Sequence, residues 1–129
     1  YFGIAYEIRV MSAHRTPDDV QKFSTHAEEN GFDIIIACAG MAAHLPGVVA
    51  AYTSLPVIGV PLAAGHLNGI DSLLSIVQMP AGVPVATMAV GKAGMRNAAI
   101  FSAQIISRSD KKMREILRKF KENQCKIPQ

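Results

Sequence analysis

The chain contains 129 residues, of which half are apolar and 18% are charged. This length suits one domain, because domains typically contain about 100–200 residues, and we expect residues 1–129 to form a single domain. The apolar fraction excludes a disordered chain. Positive charge is concentrated at the C-terminus: residues 108–129 carry eight Lys/Arg and three Asp/Glu, against five and seven in residues 1–107. That basic segment contains one aromatic residue, Phe120, so a solvated helix face is expected there and nucleic-acid binding is not.

Two long stretches, residues 34–70 and 72–91, contain no Asp, Glu, Lys or Arg. Prolines and glycines divide them into pieces shorter than the ~20 residues that a membrane span needs, so buried strands are expected and a membrane is not. So much uncharged sequence in a small protein also indicates surfaces covered by other subunits. Cys38 and Cys125 lie in unlike settings, which predicts no disulfide and favours a reducing cytoplasm.

In chain order, the alternation of residues 6–10 predicts a first strand. Thr16-Pro17-Asp18-Asp19 predicts a helix start, with Thr16 as N-cap, and Asn30-Gly31 predicts its end. Residues 34–38 form a continuous apolar run, which is typical of a strand covered on both faces.

In the second half of the chain, predicted helices and strands continue to alternate. It predicts a short helix over residues 44–50, a strand over 56–60, a helix over 70–77, an edge strand over 83–87 and a helix over 97–107. A last helix, capped by Ser109, carries one apolar stripe made of Met113, Ile116, Leu117 and Phe120, which packs either on its own domain or on a neighbouring subunit.

Strands that alternate with helices predict an α/β fold with three layers: a parallel sheet with right-handed crossovers and helices on both faces. Ligands bind such sheets outside the carboxyl ends of the strands. The loops that follow Val10, Cys38, Val60 and Thr87 are therefore the places to expect function.

The loop of residues 12–15 places a hydroxyl, an imidazole and a guanidinium between a strand end and a helix start. His14 can transfer a proton near neutral pH, and Arg15 can hold a phosphate or a carboxylate. The alternative is that His14 only fills the turn.

The loop of residues 39–45 consists almost wholly of small residues, which indicates either an anion-binding nest or tight strand-to-helix packing. His44 fits a structural cap better than a catalytic group. A metal site made of His14, His44, His66 and Cys38 lacks a recognised ligand spacing, so no metal is expected. No Gly-x-Gly-x-x-Gly motif opens a helix, so no dinucleotide cofactor is expected either.

Four segments in the same order resemble the PurE family of purine biosynthesis: SAHRTP at residues 12–17, AGMAAHLPG at 39–47, LNGIDSLLSIVQMP at 67–80 and GVPVAT at 82–87. The resemblance spans residues 2–107. It implies conversion of 5-(carboxyamino)imidazole ribonucleotide to 4-carboxy-5-aminoimidazole ribonucleotide without a cofactor. The loop AAHLPG resembles the mutase branch, since the carboxylase branch, which uses free carbon dioxide, carries an Arg-Ser-Asn pattern there.

The same resemblance implies roles for individual residues. His14 matches the family's general acid/base, and Ser12, Ala13 and Arg15 match residues that bind the substrate. In the family, a second loop surrounds the imidazole ring of the substrate and its carboxylate. This loop corresponds to six further residues: Gly40, Met41, Ala42, Ala43, His44 and Leu45. The family's fold is flavodoxin-like, and its subunits form a homo-octamer with active sites shared between neighbours.

The sequence departs from the family in two places. The family begins with a strand, a phosphate-binding Gly-Ser-x-Ser-Asp loop and a helix, which leads us to expect that this chain is truncated at its N-terminus. Met41 stands where many relatives have glycine, and its side chain is expected to narrow the anion-binding nest that the loop of residues 39–45 would form. Two other functions stay open: a carboxylase that uses free carbon dioxide, and a non-catalytic nucleotide- or sugar-phosphate-binding α/β module.

Overall fold

A computed structural model describes residues 1–127, which form three strands and five helices. In chain order these are α1 Pro17–His26, β1 Ile35–Gly40, α2 Leu45–Tyr52, β2 Val57–Leu62, α3 Ile70–Val77, β3 Ala86–Thr87, α4 Lys92–Ile106 and α5 Lys111–Glu122. None of these helices is both long enough and apolar enough to cross a membrane.

The three strands are parallel and lie in the order β1-β2-β3. Their register pairs Ile35 with Val57 and continues to the pairing of Gly40 with Leu62. β2 is buried at every residue from Val57 to Pro61, so both faces of this central strand are covered. The predicted parallel α/β fold is therefore confirmed, and burial on both faces explains the unbroken apolar run of β2. β1 lies at an edge of the described sheet, and Ile36 is exposed between buried Ile35 and Ala37, so the expectation that this strand is covered on both faces is wrong.

Gly59 shows how closely the helices approach the sheet. A Cβ atom at this position would collide with Ile76 of α3 and would lie 2.8 Å from Cγ1 of Val85 and 3.4 Å from Cβ of Pro46 in α2. A strand residue without a side chain is needed here because the helices pack directly against its backbone.

The chain divides into two compact units. The larger unit is Val10–Ala98. Its core joins α1, β1, α2 and β2 through the buried side chains of Val20, Ala27, Ile35, Val49 and Val57. The single domain expected over residues 1–129 stays a prediction.

The smaller unit combines Tyr1–Arg9 with Ala99 and the residues that follow it. The α5 stripe is buried there except for Ile116, which is half-buried. Met113 and Leu117 pack with Ala103, and Phe2 and Ile4 pack against this cluster. The ring of Phe120 lies 5.4 Å from that of Phe2 and 5.7 Å from that of Tyr1, measured between centroids. In this structure the stripe therefore packs on its own chain.

The strand predicted over residues 6–10 is wrong. These residues adopt neither strand nor helix, and their side chains are exposed, with Val10 at 98%. Alternation marks residues whose side chains can share one face, but a strand also needs a neighbouring strand for its backbone hydrogen bonds. Within the described residues the sheet contains only β1, β2 and β3.

Several element boundaries also differ from the predictions. β3 is limited to Ala86–Thr87, at the predicted edge position, because Pro84 has no N–H to give to a neighbouring strand. α1 ends at His26, and Gly31, with φ of 82°, closes the turn that follows. α4 begins at Lys92, five residues before the predicted start.

The last helix is capped by Asp110 and not by Ser109. The Asp110 side chain accepts a hydrogen bond of 3.1 Å from the backbone N–H of Met113. The Ser109 hydroxyl instead donates to the carbonyl of Ile106, at the end of the preceding helix. Both residue types are good N-caps, so local preference alone could not choose between neighbours.

Candidate active site

The two loops with candidate functional residues meet through their histidines. Nε2 of His14 lies 2.8 Å from Nδ1 of His44, which is hydrogen-bond distance. The rings are nearly perpendicular, at 82°, and their centroids are 4.9 Å apart. Both side chains are exposed, so a small molecule in solution can reach them.

His14 is presented by a tight turn that Ser12 and Thr16 build. The Thr16 N–H donates to the Ser12 carbonyl at 2.9 Å, and the Ser12 N–H donates to Oγ1 of Thr16 at 3.0 Å. The Ser12 hydroxyl accepts the N–H of Arg15 at 3.2 Å. Thr16 occupies the N-cap position of α1, but its side chain bonds back to Ser12 and makes no capping bond. This turn leaves the His14 and Arg15 side chains exposed, while Ser12 and Ala13 are half-buried.

The second loop begins where β1 ends. A Cβ atom on Gly40 would lie 2.9 Å from Cβ of Ala64 and 3.2 Å from the carbonyl oxygen of Leu62, so this position admits only glycine without a shift. Met41 has a positive φ of 57°, and its side chain lies against Gly65. At Gly40 the small-residue pattern therefore serves tight packing, which was one of its two interpretations.

The rest of this loop leads into α2. Ala42 is exposed, Ala43 is buried, and Leu45 packs against the core of the larger unit. His44 occupies the N-cap position of α2, but its side chain makes no capping hydrogen bond. Its Nδ1 instead lies at hydrogen-bond distance from Nε2 of His14. The interpretation of His44 as a structural cap is therefore wrong, because its ring is turned toward the other loop.

The contact between the two histidines was missed at the sequence level. His14 lies three residues before the start of α1, His44 lies directly before α2, and these two helices pack against each other. Two helices that start at the same end of a sheet bring their preceding loops together. That shared placement was the signal that could have indicated the pair.

Three other titratable residues do not join this pair. The Cys38 thiol is half-buried and donates to Sδ of Met95 at 3.8 Å, and burial raises its pKa, so it stays protonated at neutral pH. His26 bonds to the carbonyl of Lys22 in its own helix. His66 is exposed in the loop between β2 and α3. Among residues 1–127, no three His, Cys, Asp or Glu side chains are grouped so that they could hold a metal ion.

With this geometry in place, the comparisons with known proteins identify the family. Residues 1–126 match the family described as AIR carboxylase. The chain belongs to this family. It is 57% identical to N5-carboxyaminoimidazole ribonucleotide mutase of Pseudomonas aeruginosa over 122 residues, which make up 95% of this chain and 75% of that protein.

Distant organisms carry similar proteins. The chain is 56% identical to the N5-carboxyaminoimidazole ribonucleotide mutase of Saccharolobus solfataricus, over 95% of this chain and 76% of that protein. Its structure resembles the crystal structure of Treponema denticola PurE, with a TM-score of 0.82 and 29% identity, over 96% of this chain and 76% of that one. The resemblance to the PurE family and the flavodoxin-like fold are therefore confirmed.

Proposed function

We propose that this protein is a mutase of purine biosynthesis that converts N5-carboxyaminoimidazole ribonucleotide to 4-carboxy-5-aminoimidazole ribonucleotide. Family membership and the close identity to proteins named for this activity support the proposal. The structural observation that carries it is the exposed histidine pair at the ends of two loops. Binding alone does not need a titratable group there, whereas moving a carboxyl group between two atoms of one substrate does.

The reaction balances within the site. The carbamate C–N bond breaks, which releases carbon dioxide, and the exocyclic nitrogen takes up a proton. Carbon 4 of the imidazole then attacks the carbon dioxide, and the proton on carbon 4 leaves to restore aromaticity. One proton is taken up and one is released, so a single acid/base group can serve both steps, and we assign this role to His14.

The other predicted site residues would bind the substrate. Arg15 is exposed beside His14 and provides a forked donor for a phosphate or a carboxylate. Ser12 and Ala13 form the turn under it, and the loop from Gly40 to Leu45 would enclose the ring and its carboxylate. Small side chains there allow the loop to approach the substrate closely, which keeps the released carbon dioxide beside carbon 4.

An isotope experiment tests the activity on the protein at its natural full length. The substrate carries carbon-13 in its carbamate, and the buffer contains an excess of unlabelled bicarbonate. We expect a product with the label retained in the carboxylate on carbon 4, because the carbon dioxide stays in the site. Conversion of aminoimidazole ribonucleotide with bicarbonate, but not of the carbamate, would instead show the carboxylase. Tight binding with no conversion of either compound would show a non-catalytic module.

We also propose that the subunits form a homo-octamer in the cytoplasm, with active sites at subunit interfaces. The support is an apolar stripe on α3, where Ile70, Leu74 and Val77 recur at helical spacing and are 63%, 53% and 48% exposed. Contiguous apolar surface of this kind is typical of subunit contacts.

A charge placed in this stripe tests the assembly. We expect Leu74→Lys to lower the mass measured by sedimentation from that of eight chains to that of smaller species, because a lysine in an apolar contact loses its hydration. Gln21→Lys, on the exposed part of α1, is the matched control and should leave the mass unchanged. An unchanged octamer in Leu74→Lys would exclude this stripe as a contact, and a wild-type monomer would exclude the octamer.

A further inference from the structure

We propose that Met41 is a positioning residue whose side chain ties the loop after β1 to the β2–α3 loop, residues 63–69, and thereby keeps released carbon dioxide inside the site. This inference rests on the proposed function, because that reaction releases the carbon dioxide. It goes beyond that function by assigning to Met41 a contact with another loop and a role in holding an intermediate.

The Met41 side chain reaches from one loop to the other. Its Cγ, Sδ and Cε atoms lie 3.4, 3.8 and 3.8 Å from the point where a Cβ atom on Gly65 would stand. One residue earlier the two loops already approach each other closely, since a Cβ atom on Gly40 would lie 2.9 Å from Cβ of Ala64. The contact of Met41 therefore continues the pairing of β1 and β2 beyond the ends of both strands.

The β2–α3 loop is fixed at its ends and exposed in its middle. The hydroxyl of the buried Ser72 lies at hydrogen-bond distance from two carbonyl oxygens, 3.0 Å from that of Leu62 and 2.9 Å from that of Gly69. Gly65 and the three residues that follow it are exposed. The Met41 side chain meets the loop at the start of this exposed part, so it supports a segment that the Ser72 hydroxyl does not reach.

The backbone of Met41 shows that this contact is kept in spite of a conformational cost. Its φ of 57° lies in the left-handed region, which glycine adopts freely and a residue with a Cβ atom rarely adopts. Residues held in this region cluster at active sites and ligand clamps. The side chain is 57% exposed, so packing in the core does not explain it. An unbranched thioether instead suits an irregular gap between two loops.

The proposed reaction makes a closed gap important. When the carbamate C–N bond breaks and the exocyclic nitrogen takes up its proton, the carbon dioxide is small and uncharged, so no ionic contact holds it. Only the walls of the site keep it beside carbon 4. An opening between the two loops would let carbon dioxide diffuse into the buffer and would leave aminoimidazole ribonucleotide behind.

The first test uses the carbon-13 carbamate and the protein at its natural full length. Met41→Ala keeps the Cβ atom and its backbone cost but removes the atoms that reach Gly65. We expect this variant to lose label from the product and to release aminoimidazole ribonucleotide. We expect Met41→Leu, which restores the apolar bulk, to regain most of the label. The ratio of labelled to unlabelled product does not depend on the amount of folded enzyme, so a merely structural role for Met41 would not change it.

Met95→Ala is the matched control. Met95 is also a partly exposed methionine, at 42%, but it lies on α4 against the Cys38 thiol. This variant should retain the label as the wild type does. Equal retention in Met41→Ala and the wild type, or an equal loss in Met95→Ala, would overturn the inference. Loss of label in the wild type itself would overturn the proposed mutase and this role with it, so the two failures are distinguishable.

The second test does not require turnover. Nuclear magnetic resonance relaxation of the substrate-free protein, with nitrogen-15 in its glycines, measures the motion of the Gly65 N–H. We expect its order parameter to fall in Met41→Ala toward the values below about 0.6 that mark flexible backbone, and to recover in Met41→Leu. The buried Gly69 should stay rigid in both variants. An unchanged order parameter of Gly65 in Met41→Ala would show that Met41 does not hold the loop and would overturn the inference.

Discussion

Replacement of His14 by asparagine is expected to abolish conversion while folding and substrate binding persist. The carboxamide cannot carry a proton from carbon 4, and removal of one acid/base group commonly lowers the rate by about 10²–10⁴-fold. The His14 side chain is exposed and belongs to no core cluster, so the free energy of unfolding should hardly change. The measurements are kcat for the carbamate substrate, substrate affinity by calorimetry, and the unfolding midpoint in urea.

His26→Asn is the matched control for this experiment. His26 is also an exposed histidine, but its Nδ1 bonds to the Lys22 carbonyl within α1. The same substitution there should leave kcat unchanged. Turnover near the wild-type value in His14→Asn would remove His14 from the mechanism and with it the assignment of the first loop as the site.

Replacement of Gly94 by alanine is expected to give the largest loss of stability. A Cβ atom at this position in the first turn of α4 would overlap the carbonyl oxygen of Ala89. The obstacle is backbone and cannot rotate away, so either the helix start or the preceding loop must move. Overpacking of this kind costs about 1–3 kcal/mol and occasionally more, and we expect the upper end, about 3 kcal/mol, in spite of alanine's better helix propensity.

Gly47→Ala is the matched control, since Gly47 also lies near the start of a helix, α2. There a Cβ atom would meet only the flexible end of Met79, 3.1 Å from Sδ and 3.3 Å from Cε. The Met79 side chain can turn aside, so the gain in helix propensity, about 0.5–1 kcal/mol, should outweigh the contact and make the change in unfolding free energy favourable or neutral. Urea unfolding should therefore rank Gly47→Ala at or above the wild type and Gly94→Ala well below it. Equal midpoints for the two variants would contradict this account of Gly94.

Much of the larger unit could be predicted from sequence because its elements carry their own signals. The Pro17 start of α1, the apolar runs of β1 and β2, and the spacing of α3 are properties of neighbouring residues. The motifs around His14 and His44 also pointed to the loops that the structure brings together.

The failures arose where a partner outside the pattern itself decided the outcome. The residues around Ile8 have the pattern of a strand, but a strand exists only beside another strand, and no pattern within five residues can supply one. Asp110 and Ser109 are equally good caps by residue type, and the end of α4 decided between them by using the Ser109 hydroxyl.

The sequence by itself determined the parallel α/β class, the family, and the two loops that carry the candidate site, because hydrophobic periodicity and contiguous motifs are local properties. Tertiary structure alone decided that His14 and His44 share one hydrogen bond, although 30 residues separate them. Distances between side chains depend on how α1 and α2 pack, and that packing is set by buried contacts between residues far apart in the sequence. The chemistry of each loop was visible in its residues, but the pairing of the two rings required the fold.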